Sequence, residues 1–258
     1  SSYIDLFNRG VKSFQLNIEN KNNWILFSLM KGTIHSERRI IVNIDWKKAP
    51  KGITKAQFKI SADDKKYKVE VNTNNIDSSK VQGFVENNGY ISIESKNYSK
   101  AINSDSVKWT IIPNLGKTDS GVTLKPSNIK PIQISEQSPR LEYNVHFFSK
   151  GKIKVHAYFS PTINFTTRDG LKYGIGFDDE KPQIINFNQD NSEKNWEKSV
   201  ANNIKIISST HQIENSGNHI LKIYAIDPAL VLQKIVIETE EGKVLESYLG
   251  PPESFKKE

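Results

Sequence analysis

The sequence of 258 residues predicts an all-β protein built from two β-sandwiches in tandem. Three observations support this fold class. Hydrophobic residues alternate with a period of two near the C-terminus, short alternating runs recur with turn residues between them, and charge is distributed unequally along the chain. With 36% hydrophobic and 25% charged residues, the composition is that of an ordinary globular chain.

The clearest strands lie within residues 219–237. Leu221, Ile223 and Ala225 share one face of the first strand, and residues 231–237 alternate in the same way, with many β-branched side chains. Pro228 separates the two runs, because proline lacks an N–H and disfavours helix at the preceding residue. Residues 250–252 (GPP) end the strand-forming region for the same reason.

The first part of the chain contains several short strands separated by turns, in residues 3–7, 11–18, 24–28, 39–46, 56–60 and 67–71. Ile40, Val42 and Ile44 share one face of their strand. We interpret Trp24 and Trp46 as core residues or as residues that pack between domains, since most large aromatic side chains of a sandwich are buried. Regular spacing of short strands favours a small antiparallel sandwich.

The second part continues the strand pattern, in residues 84–85, 90–95, 107–112, 122–124, 141–148, 151–159, 171–177 and 184–187. Residues 125–139 hold three prolines and predict an extended, irregular connection. Residues 192–200 form the single predicted helix, in which Trp196 and Val200 are four positions apart.

The charge distribution supports two units. Residues 1–80 carry 15 Lys+Arg against 8 Asp+Glu, whereas residues 81–258 carry 21 of each. The polar, turn-rich residues 72–79 are the candidate linker region. We place the first sandwich at residues 1–75, the linker at 76–83 and the second sandwich at 84–258.

Several function classes are disfavoured by the residues themselves. The chain has no cysteine, so disulfides and thiolate sites are excluded, and its five histidines lack metal-ligand spacing. The chain lacks an apolar run long enough for a membrane span, and we expect no membrane partner. The lysines are scattered among strands and turns rather than gathered on one helix face, so we expect no nucleic-acid partner. The acidic residues 178–180 follow a strand, where consecutive side chains point to opposite faces, and we interpret them as an acidic turn.

Aromatic side chains are the best candidates for ligand contacts, because the apolar faces of sugar rings stack on flat side chains. The alternative for each is ordinary core packing. The candidates for carbohydrate binding are Trp109, Tyr158, Tyr173, Trp196 and Tyr248.

Residues 227–237 (DPALVLQKIVI) and 247–254 (SYLGPPES) closely resemble the C-terminal region of glycoside hydrolase family 115, the xylan α-1,2-glucuronidases. The resemblance extends through residues 89–94 (GYISIE), 159–162 (FSPT), 170–179 (GLKYGIGFDD) and 217–221 (GNHIL). It also includes residues 3–10 (YIDLFNRG), 24–28 (WILFS) and 42–46 (VNIDW) in the first part. One departure is Ala229, where the family pattern has glycine.

The resemblance implies an immunoglobulin-like sandwich followed by a galactose-binding-like jelly roll. It also implies that the catalytic carboxylates belong to an upstream barrel of the same polypeptide, so we expect no catalytic residues within these 258 residues. We expect a non-catalytic accessory region of a bacterial α-glucuronidase, periplasmic or secreted, that supports the barrel and homodimer formation. Binding of xylan is a further expectation. The abrupt start at Ser1 suggests a trimmed chain or an excised fragment.

Residues 90–98 (YISIESKNY) also resemble the opening strand of carbohydrate-binding modules of families 6 and 35, in which glutamates help to hold a structural calcium ion. Glu94 matches the first of these glutamates and is a candidate metal ligand. Lys96 replaces the second, and an ammonium group cannot ligate a cation. We therefore expect no required cofactor.

Two alternative functions belong to other classes. A stand-alone carbohydrate-binding module would be retained on insoluble xylan, whereas a purely structural domain would not. A protein-interaction sandwich would use the basic first part to meet an acidic partner or an anionic polysaccharide, and its binding would weaken with salt.

Overall fold

The computed structural model describes residues 2–75, 78–190, 192–240, 242 and 247–258. Within these ranges the chain is almost entirely β-structure, which confirms the predicted all-β class. The chain divides into two compact units, Ser1–Ser78 and Ser79–Glu258. The described part of the chain contains one α-helix, which is too short and too polar to cross a membrane.

The first unit is a sandwich of two antiparallel sheets, as predicted; its immunoglobulin-like character stays a prediction. Its strands are β1 (Ser2–Phe7), β2 (Phe14–Asn20), β3 (Ile25–Phe27), β4 (Lys31–Ile34), β5 (Glu37–Ile44), β6 (Gly52–Ala62) and β7 (Lys65–Asn75). One sheet has the order β1-β5-β3 and the other the order β4-β2-β6-β7. Side chains from both sheets meet in the core, including Leu16, Ile40 and Phe58. Because inward and outward side chains alternate along each strand, each sheet presents one apolar face to the other sheet.

Two expectations for the first unit are wrong. Trp46 is 51% exposed rather than a core residue, because the strand ends at Ile44 and the chain then turns, with the Ala49 amide donating to the Asp45 carbonyl oxygen. Residues 72–75 are not linker, since they complete β7 opposite residues 52–55 of β6. Of the proposed linker 76–83, residues 76 and 77 lie outside the described residues, and the rest contain a short 3-10 turn, Ser78–Lys80, and the first residue of a strand.

The second unit begins with β8 (Gly83–Val85), β9 (Tyr90–Glu94), β10 (Lys100–Ile102), β11 (Lys108–Ile112), β12 (Gly121–Lys125) and β13 (Arg140–Phe147). It continues with β14 (Gly151–Phe159), β15 (Lys172–Phe177), β16 (Gln183–Asn186), α1 (Glu193–Asn202), β17 (Lys205–Ile213), β18 (Gly217–Ala225), β19 (Leu232–Thr239) and β20 (Lys256–Lys257). The predicted helix is confirmed as α1. The irregular connection is confirmed between β12 and β13.

These strands form a jelly-roll sandwich. In the described residues, one sheet has seven strands in the order β16-β15-β18-β13-β8-β20, with β10 beside β13. The other has six strands in the order β11-β12-β19-β14-β17, with β9 beside β19. The consecutive strands β18 and β19 therefore lie in opposite sheets, and the core between the sheets is rich in aromatic residues, including Phe84, Tyr143, Phe147, Phe159 and Phe177.

Strand β17 is a nine-residue strand that the sequence pattern did not reveal. Its alternation is hidden because two of its buried positions are polar, Ser209 and His211, and its other face carries Ile206 at the surface. The strand is defined by pairing along its whole length with β14. Long-range pairing, rather than local hydrophobicity, therefore determines this element.

Candidate functional site

A cleft of about 870 Å³ lies on the outer face of the seven-stranded sheet. Its base is formed by outward residues of β15 and β18, among them Lys172, Lys222 and Tyr224, whose strand neighbours point into the core. One wall is the connection 131–136 and the other is the turn 178–182. The cleft therefore assembles from segments that are far apart in the chain.

Two glycines allow the walls to approach the sheet. A Cβ atom at Gly174 would lie 2.6 Å from Ile134 Cδ1, and one at Gly176 would lie 3.3 Å from Pro182 Cα. Glycine inside a strand commonly marks such a close approach of another segment. The connection is also held by a hydrogen bond from the Ile132 amide to the Ile226 carbonyl oxygen, 2.9 Å long.

Most charged groups at the cleft already have partners. The Arg140 guanidinium donates to Glu142 Oε1 at 2.7 Å and to the Glu136 carbonyl oxygen at 2.6 Å. The Lys222 ammonium donates to the Asp178 carbonyl oxygen and lies 3.5 Å from the Asp179 carboxylate. These contacts fix the shape of the cleft and neutralise much of its charge.

Two polar groups at the base of the cleft are unpartnered, although Tyr224 as a whole is only 7% exposed. The Lys172 ammonium and the Tyr224 hydroxyl have no hydrogen-bond or ion-pair partner among the described residues. They lie beside apolar wall residues, of which Ile184 is 61% exposed. A few free polar groups among apolar walls are the usual composition of a small-molecule site. The sequence analysis did not identify Lys172 or Tyr224 as site residues. Gly174 and Gly176 of β15 were the available signal, because glycines inside a strand indicate that another segment comes close to the sheet.

None of the five aromatic residues proposed as carbohydrate contacts lines this cleft. The expectation is wrong for Tyr158 and Tyr173, whose side chains are buried at 4% and 2% exposure and so cannot stack on a surface ligand. Burial raises the pKa of both hydroxyl groups above the ordinary tyrosine value. Trp109 packs against the core from β11, and its Nε1 atom is buried.

The other two proposed contacts lie on different elements. Trp196 is half-buried on α1, whereas Tyr248 is 47% exposed in the C-terminal segment, with the Lys117 ammonium 5.5 Å from its ring centroid. Carbohydrate binding by these two residues remains a prediction.

The surroundings of Glu94 do not fit a calcium ion. The Lys234 ammonium, with its side chain 3% exposed, lies 2.9 Å from Glu94 Oε1, where it would repel a metal ion. Lys96 forms an ion pair of 2.8 Å with Asp119, which holds the pKa of that carboxyl below its ordinary value. Among the residues that the structure describes, no three His, Cys, Asp or Glu side chains gather as a metal site.

The acidic residues 178–180 form a turn after β15, as predicted. Asp178 adopts a left-handed backbone conformation with a φ angle of 48°, and its carboxylate accepts hydrogen bonds from the Ile220 amide at 2.8 Å and His219 Nδ1 at 2.7 Å. Its carboxylate thus anchors the turn to β18.

Three side chains on the six-stranded sheet form a polar chain that the sequence did not reveal. Ser208 Oγ lies 2.8 Å from His156 Nδ1, and His156 Nε2 lies 3.3 Å from Glu238 Oε2. The order of groups is that of a Ser–His–carboxylate triad. The three residues occupy neighbouring strands on one sheet face and do not line the cleft, so we interpret them as a cross-strand network.

Comparison with solved structures gives three related examples. A family 115 4-O-methyl-α-glucuronidase with specificity for decorated arabinogalactans matches 57% of this chain at 16% identity and a TM-score of 0.45. The matched part covers 17% of that enzyme's length. The C-terminal family 6 carbohydrate-binding module of a laminarinase from Zobellia galactanivorans matches 58% of this chain and 99% of its own, at 15% identity and a TM-score of 0.39. A family 35 module from Clostridium thermocellum matches 58% of this chain and 98% of its own, at 12% identity and a TM-score of 0.37.

A search of curated proteins found no match. A sequence profile of the glycosyl hydrolase family 115 C-terminal domain matches residues 83–253, which lie in the second unit. The resemblance of the first unit to the family stays a prediction, because the profile does not reach it. Since the matched residues make up more than half of the sequence, the chain belongs to glycosyl hydrolase family 115 and contains its C-terminal domain.

Proposed function

We propose that the second unit is a non-catalytic, glycan-binding accessory domain of a glycoside hydrolase, and that its cleft binds a polysaccharide carrying glucuronic acid. The parent enzyme in this proposal is a secreted or periplasmic xylan α-1,2-glucuronidase, whose catalytic barrel precedes this region in the same polypeptide. Family membership supports the accessory role.

The observation that supports binding is the pair of unpartnered polar groups in the cleft, Lys172 and Tyr224. A hydroxyl group can exchange hydrogen bonds with sugar hydroxyls, and an ammonium group can donate a charge-assisted hydrogen bond to a uronic acid carboxylate. The apolar walls, including Ile184 and Pro182, suit the apolar faces of sugar rings.

Replacing Lys172 with methionine is expected to weaken binding to glucuronoxylan by at least roughly tenfold, since a hydrogen bond to a charged group contributes about 1.5–3 kcal/mol and about 1.4 kcal/mol corresponds to a factor of ten. Binding to xylan stripped of glucuronic acid is expected to change little. Isothermal titration calorimetry with both polysaccharides measures the difference, and added salt should weaken only the interaction with the acidic polysaccharide.

The matched control is Lys152→Met, which removes an exposed lysine from β14 in the opposite sheet. Equal losses from Lys152→Met and Lys172→Met would contradict binding in the cleft. If the chain binds neither glucuronoxylan nor the stripped xylan, the proposed glycan-binding function is wrong.

The purified chain is expected to release no uronic acid from glucuronoxylan, because glycoside hydrolysis ordinarily uses a positioned pair of carboxyl groups, and in this proposal the catalytic barrel that carries them precedes this region. Reducing-sugar and uronic acid assays measure this. Release of uronic acid by the purified chain would show that the accessory role is wrong.

A further inference from the structure

The Lys234 ammonium is buried and has a full set of hydrogen-bond acceptors. Its Nζ atom lies 2.9 Å from Glu94 Oε1, 2.9 Å from the Pro251 carbonyl oxygen and 3.3 Å from the Leu249 carbonyl oxygen. An ammonium group has three N–H donors, and three acceptors surround this one. A buried charge is tolerated when it is both paired and hydrogen-bonded in this way.

The partner carboxylate is equally well satisfied. The Thr118 hydroxyl lies 2.7 Å from Glu94 Oε1 and 2.9 Å from Oε2, so it donates to the same carboxylate that pairs with Lys234. The Glu94 side chain is 10% exposed. Lys234 on β19 and Glu94 on β9 are also directly opposite in the antiparallel register, so the sheet itself sets their separation.

The C-terminal segment 247–254 is shaped to bring its carbonyl groups to this ammonium. Gly250 has a φ angle of 65°, and a Cβ atom there would lie 3.2 Å from Lys234 Cδ and 3.3 Å from Tyr158 Oη. Glycine is therefore favoured by the backbone conformation, and the segment approaches Lys234 more closely than a side chain at this position would ordinarily allow. This gives a physical reason for the glycine in the SYLGPPES sequence.

The remaining residues of the segment are attached to β9. The Ser254 amide donates to the Ser92 carbonyl oxygen at 2.8 Å, and the Ser92 amide donates to Ser254 Oγ at 2.9 Å. Glu253 Oε1 accepts from the Glu94 amide at 2.9 Å. The segment thus lies along the outer face of the six-stranded sheet, with Lys234 beneath it.

We propose that the Lys234 ammonium is a built-in cation that fastens residues 247–254 to the six-stranded sheet in place of a bound metal ion. The oxygen atoms around it, from one carboxylate and two backbone carbonyl groups, are of the kind that calcium binds in proteins. Because this cation is covalently attached, it cannot be lost to a chelator. The fastened segment holds Tyr248 at the surface beside Lys117.

The wild-type chain tests the proposal without any substitution. Its melting temperature is measured by calorimetry in millimolar EDTA and in millimolar calcium chloride. We expect the two values to agree within about 2 °C, because a ligand stabilises the folded state only by binding to it. A larger stabilisation by calcium, or one calcium ion bound per chain in equilibrium dialysis, would overturn the proposal.

The second test is Lys234→Met, which keeps the alkyl chain but removes the charge. Amide hydrogen exchange is measured by mass spectrometry in peptides covering residues 247–255. We expect exchange there to become at least about tenfold faster, since the segment loses its anchor and opens locally. Unchanged exchange would overturn the proposal.

Two further variants keep this test decisive. Lys154→Met removes an exposed lysine from β14 in the same sheet and should leave exchange in residues 247–255 unchanged. Lys234→Met combined with Glu94→Gln leaves no unpaired buried charge, so it is expected to fold even if the single variant is unstable, and it should show the same faster exchange. Normal protection in the double variant would contradict a role for the ammonium. Glycan binding in the cleft is independent of all these outcomes.

Discussion

Replacing Asp227 with alanine is expected to lower the free energy of unfolding of the second unit by about 3 kcal/mol, the upper end of the cost of leaving a buried hydrogen-bond donor without its partner. Asp227 Oδ1 lies 2.6 Å from Arg168 Nη2, and Oδ2 accepts a hydrogen bond of 2.7 Å from the Lys172 amide. The Asp227 amide donates in return to the Lys172 carbonyl oxygen. The residue therefore joins β15 to the chain that follows β18.

The size of this effect follows from burial. The Asp227 side chain is 2% exposed, whereas that of Arg168 is 41% exposed. Removing the carboxylate leaves the Lys172 amide without its partner, which is costly inside the protein, but the guanidinium can return to water. Calorimetry should show a fall in melting temperature of roughly 6–12 °C, since about 1 kcal/mol corresponds to 2–4 °C in a unit of this size.

Two variants complete the experiment on Asp227. Asp179→Ala removes an exposed carboxylate from the acidic turn and should change stability by less than about 0.5 kcal/mol. Arg168→Ala combined with Asp227→Ala should cost less than the sum of the single changes, because both remove the same interaction. An Asp227→Ala variant as stable as Asp179→Ala would show that this buried pair does not hold the two segments together.

Acidification from pH 6.5 to pH 4 is expected to destabilise the second unit through His211, by about 2 kcal/mol. Burial lowers the pKa of this histidine to about 4. Its ring lies against Phe177, with a centroid separation of 5.3 Å, and its Nε2 atom lies 2.8 Å from Ser209 Oγ. The neutral ring fits this place, whereas the protonated ring would lose its hydration there.

The direction of the effect follows from proton linkage. In the unfolded chain the imidazole has its ordinary pKa of about 6.5, so between the two values the unfolded state binds more protons than the folded state. The contribution is complete above about pH 6.5 and is lost as the pH falls towards 4. The whole difference between the two pKa values of His211 corresponds to about 3.4 kcal/mol of stability. We expect a smaller loss, because local opening lets water reach the protonated ring.

His211→Phe removes the titrating group, so its unfolding free energy should depend less on pH between 6.5 and 4 than that of the wild-type chain. His35→Gln, at an exposed position of the first unit, serves as the control and should retain the wild-type pH dependence. Urea titrations at several pH values give these slopes. Parallel pH profiles for the wild type and His211→Phe would contradict the assignment.

Local patterns predicted most strands of the second unit and its helix, because period-two alternation and turn residues act over short distances. They failed where the local rule and the tertiary environment disagree. Strand β17 carries buried polar groups, including His211, which hide its alternation. Tyr158 is an outward residue of its strand, yet it is buried, with Ile204 and Val236 packed against it.

Lys234 shows the same limit most clearly. In the sequence it alternates with buried hydrophobic residues and has the pattern of a solvent-facing lysine. Only the C-terminal segment, folded back over the outer face of the sheet, buries its ammonium and supplies the carbonyl oxygens. No rule of local spacing predicts which outward side chain a distant segment will cover.

The sequence by itself determined the β class, the family and the absence of cysteine chemistry, because these depend on residue type, on nearest-neighbour alternation and on motifs read along the chain. The tertiary structure alone decided that Lys172 and Tyr224 meet the connection 131–136 in one cleft, and that Lys234 meets Glu94 and the C-terminal segment. The physical reason is that strand pairing over long sequence distances chooses which outward faces are covered and which stay open to a ligand.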